Sequence, residues 1–230
     1  MGRFTLRLDP IIKYNVKKEK VVGIHKKNNK FKNRKRIDKI LDIEEIRKIL
    51  GNQFVFIFNE INPVLQDLQL EKSAKILDIG TGNGTMAVTL ALNNYKVITG
   101  EPEDDESEYA KQDWLELARK VKVEHMITYQ SFNAEDMPFE DSFMDAIFIL
   151  GSLHHINDKE VALKECFRIL KLHGMVCIFE PNSDAIKFIR ERRSPTHPDA
   201  VDPRNYIQGL HFQLELIKLP FYDAHIFRKR

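Results

Sequence analysis

Several features are scarce in this chain of 230 residues, and each absence argues against a class of protein. The only two cysteines, Cys166 and Cys177, form neither a metal-ligand spacing nor a disulfide framework, so no metal site is predicted. No uninterrupted apolar run reaches the roughly 18 residues of a transmembrane helix, and the N-terminus lacks the apolar core of a secretory signal. We therefore expect a cytoplasmic protein without a membrane partner.

Charge is spread unevenly along the chain. Residues 1–39 contain 14 Lys and Arg against 3 Asp and Glu, a net charge of +11, whereas the remaining residues contain 22 against 31, a net charge of −9. A basic arm of this kind is able to neutralise phosphates, so RNA is one candidate partner. Few aromatic residues accompany these lysines, which argues against a base-stacking platform and favours a solvated arm instead.

Composition divides the chain into three predicted parts. Residues 1–37 are predicted to form a basic, irregular arm with one short ribbon near Lys20–His25. Residues 38–72 are predicted to form an appendage of helices, and residues 73–230 the main domain. The first helix of the appendage is expected over Asp42–Leu50.

The rest of the appendage is a second predicted helix. It covers Gln53–Leu70 and is separated from the first by Gly51. Pro63 is expected to kink or divide this second helix, because proline lacks a backbone donor and clashes with the preceding turn.

From Lys75 onward, predicted strands alternate with predicted helices, the pattern of a parallel sheet covered by helices on both faces. The predicted strands are Lys75–Ile79, Tyr95–Thr99, Met126–Ser131, Met144–Leu150 and Met175–Glu180. The predicted helices include Thr85–Asn93, Asp113–Lys122 and Asp158–Leu170. The last residues predict two strands that meet at Leu219–Phe221, a hairpin at the edge of the sheet. The sequence thus predicts an α/β fold.

The stretch KILDIGTGNGTMAV joins the first predicted strand to a helix through a glycine-rich turn. Gly80, Gly82 and Gly84 follow Asp78 at alternate positions, and glycines let a backbone turn sharply and approach a ligand at a helix N-terminus. The spacing is neither the G-x-G-x-x-G of a dinucleotide-binding fold nor the Gly-Lys-Ser/Thr ending of a P-loop. The turn therefore predicts a ligand site of another kind, with a purely structural turn as the alternative.

An acidic residue follows the second predicted strand. Glu101 lies 23 residues after Asp78, where a carboxylate is able to accept hydrogen bonds from both hydroxyls of a ribose. Glu101 also belongs to the acidic run EPEDDESE, so a place on a solvated face is the alternative interpretation.

Five motifs arrive in an order that resembles one family. They are LDIGTGNG, the acid at Glu101, the segment AEDMPF, the strand DAIFILGSLHHI and the run ALKECFRILKLHGMVCIFEP. Between Ser73 and Pro181 the chain resembles the class I S-adenosylmethionine-dependent methyltransferases, in particular the small-molecule methylases typified by quinone-biosynthesis enzymes. The resemblance implies a Rossmann-like three-layer sandwich with a seven-stranded, mostly parallel sheet in the order 3-2-1-4-5-7-6 and a reversed last strand.

The resemblance also implies that S-adenosylmethionine lies across the carboxyl ends of strands one, two and four. Asp78 is expected to organise the glycine turn and to face the methionine portion, and Glu101 to bind the ribose. Asn133 stands where the family usually has Asp, and its carboxamide, with the backbone of Ala134, is expected to face the adenine. The predicted cofactor-binding set is Asp78, Gly80, Thr81, Gly82, Gly84, Glu101, Asn133, Ala134 and Leu150.

Two adjacent histidines follow the fourth predicted strand. A histidine there lies near the expected position of the methyl group, so His154 or His155 is predicted to act as a general base or to orient the acceptor. Packing of one histidine against the cofactor and exposure of the other is the alternative. Further along, the proline-rich segment Ser194–Tyr206, which contains His197, predicts either a lid over the substrate or a stiff connector.

The leading functional hypothesis is a methyltransferase that aligns a small or medium-sized acceptor with the departing sulfur, so that proximity and orientation supply most of the catalysis. Two alternatives stay open. One is an RNA methyltransferase that docks through residues 1–39, and the other is a non-catalytic regulatory subunit that binds S-adenosylmethionine. The sequence decides neither the acceptor atom, nor the use of a general base, nor the oligomeric state.

Overall fold

A computed structural model of the protein describes residues 42–104 and 112–230. Its strands are β1 (Ile76–Ile79), β2 (Val97–Gly100), β3 (Ile127–Tyr129), β4 (Met144–Leu150), β5 (Leu170–Pro181), β6 (Phe212–Lys218) and β7 (Tyr222–Lys229). They form one seven-stranded sheet in the order β3-β2-β1-β4-β5-β7-β6. Strands β1 to β5 pair in parallel, whereas β7 runs antiparallel to both β5 and β6. The predicted strand order and the reversed last strand are confirmed.

The helices that accompany this sheet are α1 (Ile43–Asp67), α2 (Thr85–Leu92), α3 (Trp114–Lys120), α4 (Lys159–Ile169) and α5 (Ser183–Arg192). Aspartates cap three of them, since the side chains of Asp42, Asp113 and Asp158 accept hydrogen bonds from backbone N–H groups of the first turn. Helix α5 was not predicted, although Asn182 caps it in the same way. None of the helices within 42–104 and 112–230 has the length and apolarity needed to cross a bilayer.

Helix α1 contains a kink at Gly51, where φ is 84° and ψ is 171°. The expected break between two helical segments at this residue is confirmed, since glycine adopts a positive φ at little cost. Pro63 lies inside the continuing helix, so it does not divide the second predicted segment, while the alternative, a kink at this residue, stays a prediction. The buried side chains of Ile61, Val64 and Leu65 hold the helix on both sides of this proline, so packing outweighs the lost hydrogen bond.

Apolar side chains pack on both faces of the sheet. Along β1, Ile76 belongs to one cluster while Leu77 and Ile79 belong to the other, as the alternation of side chains along a strand requires. Cys166 and Cys177 are buried in these cores. Burial raises the pKa of the Cys166 thiol to about 12, which fits the packing role expected of both cysteines.

Glu60 ties helix α1 to the C-terminal hairpin. Strands β6 and β7 meet at residues 219–221, as predicted. The backbone N–H of Phe221 donates to Oε2 of Glu60 at 3.0 Å, and the Phe221 ring packs edge-on against Phe56 with centroids 4.9 Å apart. Burial raises the pKa of the Glu60 carboxyl. These contacts bring α1 and β7 together, and Gln53 and Tyr222 from these two elements line the same cavity.

The predicted basic arm, residues 1–37, and its ribbon lie outside the described residues. The division of the chain at residues 37 and 72 therefore stays a prediction.

Candidate active site

A cavity of about 720 Å³ opens at the carboxyl ends of β1, β2 and β4. Ile79, Gly100 and Leu150, the last residues of these three strands, all line it. In open α/β sheets, ligands bind outside the carboxyl ends of the strands, at the point where the strand order reverses. The cavity therefore lies where the sequence resemblance implied the cofactor.

The three glycines of the turn after β1 all have a positive φ: 86° for Gly80, 49° for Gly82 and 82° for Gly84. A Cβ on Gly80 would lie 2.6 Å from Oγ of Ser152, whereas a Cβ on Gly82 would meet no atom within 4 Å. Gly80 thus allows the turn to pack directly against the loop after β4. Gly82 leaves the space beside the turn open to a ligand.

Asp78 lies beneath this turn and is fully buried, outside the lining of the cavity. Its Oδ2 accepts a hydrogen bond from the Thr99 hydroxyl at 2.9 Å, and Oγ1 of Thr99 lies 2.8 Å from Oγ1 of Thr81. Since the hydroxyl hydrogen of Thr99 is used on Asp78, Thr81 donates to Thr99. Asp78 thereby fixes the turn through Thr81, in agreement with its predicted organising role, while its contact with a methionine portion stays a prediction.

The same burial sets the protonation of Asp78. Desolvation raises the pKa of its carboxyl to about 8, against the lowering effect of the Thr99 hydrogen bond and with a further contribution from the charge of Glu101.

Glu101 is 7% exposed and lines the cavity. Its Oε1 accepts a hydrogen bond from the backbone N–H of Gly82, so the carboxylate is held against the glycine turn. This burial argues against the alternative in which Glu101 belongs to a solvated face, whereas Glu103 and Asp104 are exposed. A carboxylate has about four acceptor positions, enough for both the turn and the hydroxyls of a ribose.

The segment after β3 borders the cavity through Phe132, Asn133 and Ala134. Oδ1 of Asn133 accepts a hydrogen bond from the N–H of Glu135 at 2.9 Å and closes an Asx turn. The carboxamide oxygen is therefore partly engaged by its own segment. Its expected contact with an adenine stays a prediction.

Arg168 on α4 forms hydrogen bonds with the end of this segment, at Met137 and Phe139. Its guanidinium donates to the carbonyl oxygens of Met137 and Phe139 and forms ion pairs with Glu165 and Asp141. Glu165 in turn accepts from the N–H of Met137 at 3.1 Å, and the hydrogen bonds from Arg168 lower the pKa of the Glu165 carboxyl. The loop that borders the cavity is thus ordered by side chains that lie outside it.

His154, in another part of the lining, forms a buried pair with Glu180, which lies behind it. Nδ1 of His154 lies 2.9 Å from Oε2 of Glu180, and the two side chains are 1% and 2% exposed. A carboxylate only accepts, so Nδ1 carries the hydrogen, and in the neutral ring Nε2 presents its lone pair. Nε2 of His154 is buried and has no hydrogen-bond partner within the described residues.

Two more histidines lie beside His154. The ring centroid of His155 is 4.1 Å from that of His154, and the ring of His197 is 5.1 Å and 5.3 Å from these two rings. Nδ1 of His197 lies 2.9 Å from the carbonyl oxygen of Pro198. A carbonyl only accepts, so Nε2 of His197 also presents its lone pair. We term His154, His155 and His197 the histidine cluster; His155 is exposed, and the other two are buried.

The structure brings most of the predicted site residues together. Those that line the cavity are Gly80, Thr81, Gly82, Glu101, Asn133, Ala134, Leu150, His154 and His155. Asp78 and Gly84 support the turn instead of facing the cavity, and a Cβ on Gly84 would lie 2.9 Å from Cβ of Trp114. Their assignment as cofactor contacts stays a prediction.

Two parts of this site were not predicted as such. Glu180 near the end of β5 is a buried acid close to the carboxyl end of an apolar strand, the same signal that drew attention to Glu101. His197 was noted only within the proline-rich segment, and no local pattern associates it with His154. Gln53, Arg193 and Tyr222 also line the cavity, and their neighbouring residues give no comparable signal.

The proline-rich segment contains both anchored and cavity-facing residues. The carbonyl oxygen of His197 accepts a hydrogen bond from Nε of Arg190 on α5 at 2.8 Å. Asp202 accepts one from the N–H of Arg204 and caps the short 3₁₀ turn Pro203–Tyr206. The segment therefore contributes to the cavity wall through His197, while whether it moves as a lid stays open.

Comparison with known proteins finds a family match within the sheet domain. Residues 77–178 match the family described as "Methyltransferase domain". This range begins in β1 and ends in β5, so it contains the glycine turn, Glu101 and two members of the histidine cluster.

Two relatives have named activities. The 27-O-demethylrifamycin SV methyltransferase of Amycolatopsis mediterranei is 28% identical over 111 residues, which are 48% of this chain and 40% of that protein. The demethylmenaquinone methyltransferase of Staphylococcus aureus is 30% identical over 131 residues, which are 56% of this chain and 52% of that protein. The matched part of the chain thus spans about half the length of these relatives.

Solved structures agree with the fold. A protein of Methanococcus maripaludis superposes with a TM-score of 0.60 at 19% identity, covering 86% of this chain and 97% of its own. A SAM-dependent methyltransferase of Aquifex aeolicus superposes with a TM-score of 0.52 at 16% identity, covering 82% and 98%. Residues 77–178 are thus similar to a methyltransferase domain, and the sheet has the strand order that the sequence resemblance implied.

Proposed function

We propose that this protein transfers the methyl group of S-adenosylmethionine to a small or medium-sized acceptor. The observation that carries the proposal is one cavity lined by both the glycine turn with Glu101 and the histidine cluster. Its volume of about 720 Å³ lies within the range of small-molecule sites, about 300–1,000 Å³. The names of the two relatives also place their acceptors among small molecules.

The residues at the turn fit the cofactor. The open side of Gly82 gives a ligand access to the backbone, and the buried carboxylate of Glu101 is placed to accept from ribose hydroxyls. Ala134 and Leu150 supply apolar surface to the lining. Bound S-adenosylmethionine would supply an electrophilic methyl group on a positively charged sulfur.

The protein's own contribution is then mostly positional. The hydrogen bonds that link Asp78, Thr99 and Thr81 hold the glycine turn in place on the cofactor side of the cavity. Apolar residues such as Ile57 and Met86 line the rest of the cavity. The histidine cluster holds the polar atom of the acceptor. Orientation of the two reactants in this way supplies a large part of the barrier reduction in reactions of this type.

A second candidate acceptor is RNA, favoured by the net charge of +11 in residues 1–39. Phosphate contacts through Lys and Arg give an affinity that falls steeply with salt. These residues lie outside the described part of the chain, and the cavity lining is the stronger support for a small molecule.

The test uses S-adenosylmethionine labelled in its methyl group, incubated with the full chain and a cell extract. Label in the small-molecule fraction supports the proposal and supplies a product to identify. If the label enters RNA, and this transfer is abolished at high salt, the RNA alternative would be supported and the proposal overturned. Cofactor binding by calorimetry without transfer to any fraction, even with purified quinone and polyketide acceptors, would favour the regulatory alternative.

A further inference from the structure

We propose that the histidine cluster is a binding site for one divalent transition-metal ion, with Zn²⁺ as a representative ion. One ring nitrogen from each of His154, His155 and His197 lies within 4.8 Å of the other two. Three imidazoles with ring nitrogens this close together in one cavity form the donor set that zinc, copper, nickel and ferrous iron prefer, whereas Mg²⁺ and Ca²⁺ favour oxygen ligands.

The distances between the three ring nitrogens are close to those between the ligand atoms of a coordinated metal ion. Zn–N bonds of about 2.0–2.1 Å in a tetrahedral arrangement put neighbouring nitrogens about 3.4 Å apart. The widest separation, at most 4.8 Å, therefore needs to shrink by up to about 1.4 Å. His155 is the exposed member of the cluster and lies on the 3₁₀ turn Leu153–His155.

The surroundings of two histidines already set the tautomer that a metal requires. Glu180 accepts from Nδ1 of His154, and the carbonyl of Pro198 accepts from Nδ1 of His197, each at 2.9 Å. Both rings consequently present Nε2 as the lone-pair donor. Metal-ligating histidines almost always have such a carboxylate or carbonyl on the second nitrogen, which fixes the ring and raises its basicity.

Burial adds an independent argument. Nε2 of His154 is enclosed without a hydrogen-bond partner in the described residues, and leaving a buried polar atom unpaired is destabilising. Metal coordination would satisfy this atom.

Three protein ligands leave a fourth position open, the arrangement of catalytic zinc sites. An ion there would bind an acceptor hydroxyl, lower the pKa of that hydroxyl and release its proton to water. This role rests on the proposed methyl transfer and explains how the cluster holds the acceptor. Binding of the ion itself does not depend on that function.

The test measures Zn²⁺ binding to the chelator-treated full chain by calorimetry and metal analysis, with Co²⁺ absorption reporting the coordination number. We expect one ion per chain in a four-coordinate site. His155→Ala and His197→Ala should each weaken binding at least about tenfold. His211→Ala is the matched control, because His211 is exposed and outside the cluster.

Absence of stoichiometric Zn²⁺ and Co²⁺ binding, or equal affinity in the His155→Ala variant, would overturn the site. His155 is exposed, so its replacement should leave the fold intact, which circular dichroism and the Tm check. S-adenosylmethionine affinity is measured on the same samples. Metal binding without cofactor binding would overturn the proposed function alone, and cofactor binding without metal binding would overturn the metal site alone.

Discussion

Nδ1 of His154 lies 2.9 Å from Oε2 of Glu180, and both side chains are nearly inaccessible to water. Removing two such polar groups from water is costly, and their hydrogen bond offsets only part of that cost. Nε2 of His154 and Oε1 of Glu180 have no hydrogen-bond partner within the described residues. A buried arrangement with unsatisfied atoms beside a cavity is typical of a functional site rather than of a stabilising core contact.

Glu180→Gln tests the orientation of His154. The carboxamide keeps the volume of Glu180 but provides both a donor and an acceptor, so it no longer enforces a hydrogen on Nδ1. We expect Zn²⁺ affinity to fall about 10–100-fold, with the affinity for S-adenosylmethionine unchanged. Glu191→Gln on the exposed surface of α5 is the control. Unchanged Zn²⁺ affinity in Glu180→Gln would show that this carboxylate does not orient the ring.

Glu101→Ala tests the cofactor side of the cavity. The change removes a buried acceptor from the N–H of Gly82 and, in our proposal, from the ribose hydroxyls. Loss of such partners costs about 1–3 kcal/mol, so the Kd for S-adenosylmethionine should rise roughly 10–100-fold by calorimetry. Glu103→Ala, two residues on and exposed, should bind normally. If Glu101→Ala also binds normally, the ribose is held elsewhere.

Asp78→Asn tests the pH dependence of stability. The folded-state pKa of Asp78 is raised from 3.8 to about 8, so between these values the native state holds a proton that the unfolded state releases. This group therefore lowers the free energy of unfolding as pH rises from about 4 to 8, by at most about 1.4 kcal/mol per pH unit. Asparagine does not titrate, so the Asp78→Asn variant should lack this pH-dependent decline in the free energy of unfolding. Between pH 4 and 8 the urea midpoint of the variant should therefore fall less than that of the wild type.

Asp145→Asn is the contrasting variant for this experiment. The pKa of Asp145 is lowered through its contacts with Lys171 and Lys75, against the opposing effect of desolvation. Its contribution is present above the unfolded-state pKa and is lost only as pH falls below it. Asp145→Asn should therefore keep the wild-type decline between pH 4 and 8. Equal declines in wild type and Asp78→Asn would mean that Asp78 is ionised in the native state.

Gly80→Ala tests why the turn requires glycine. The new Cβ would combine a φ of 86° with a 2.6 Å approach to Oγ of Ser152, which together cost about 2–5 kcal/mol of unfolding free energy. Gly82→Ala has a φ of 49° and open space, so its loss should be about 1–2 kcal/mol. Urea denaturation measures both.

A second-site change separates the two causes at Gly80. Ser152→Gly removes both atoms that the new methyl group would meet, so the double variant should recover the steric part of the loss and retain the conformational part. No recovery would assign the whole loss to the backbone angle.

The local sequence pattern predicted which helices and strands form better than it predicted their first and last residues. Strand β4 has the predicted bounds, because its apolar run is buried on both faces and flanked by polar turns. Strand β5 begins at Leu170 rather than Met175, since pairing of Leu170 with Met144 extends it backward across a bulge. Helix α5 has only a polar cap and a short amphipathic pattern, and no helix was predicted there.

The sequence by itself determined the class of fold and the cofactor side of the candidate site. Period-two and helical apolar patterns, the glycine turn and the acid at Glu101 are all local features, and the right-handed connections of parallel strands leave few ways to join them. The resemblance carried by these motifs then supplied the strand order that the structure confirms.

Only the tertiary structure showed that the three histidines of the cluster lie together and that Glu180 contacts His154. His154 and Glu180 are 26 residues apart, and His197 comes from a segment whose own pattern fits a connector equally well. Contacts of this kind follow from the paths of loops across the ends of the strands. Those paths are set by side-chain packing between distant parts of the chain, which no short stretch of sequence encodes.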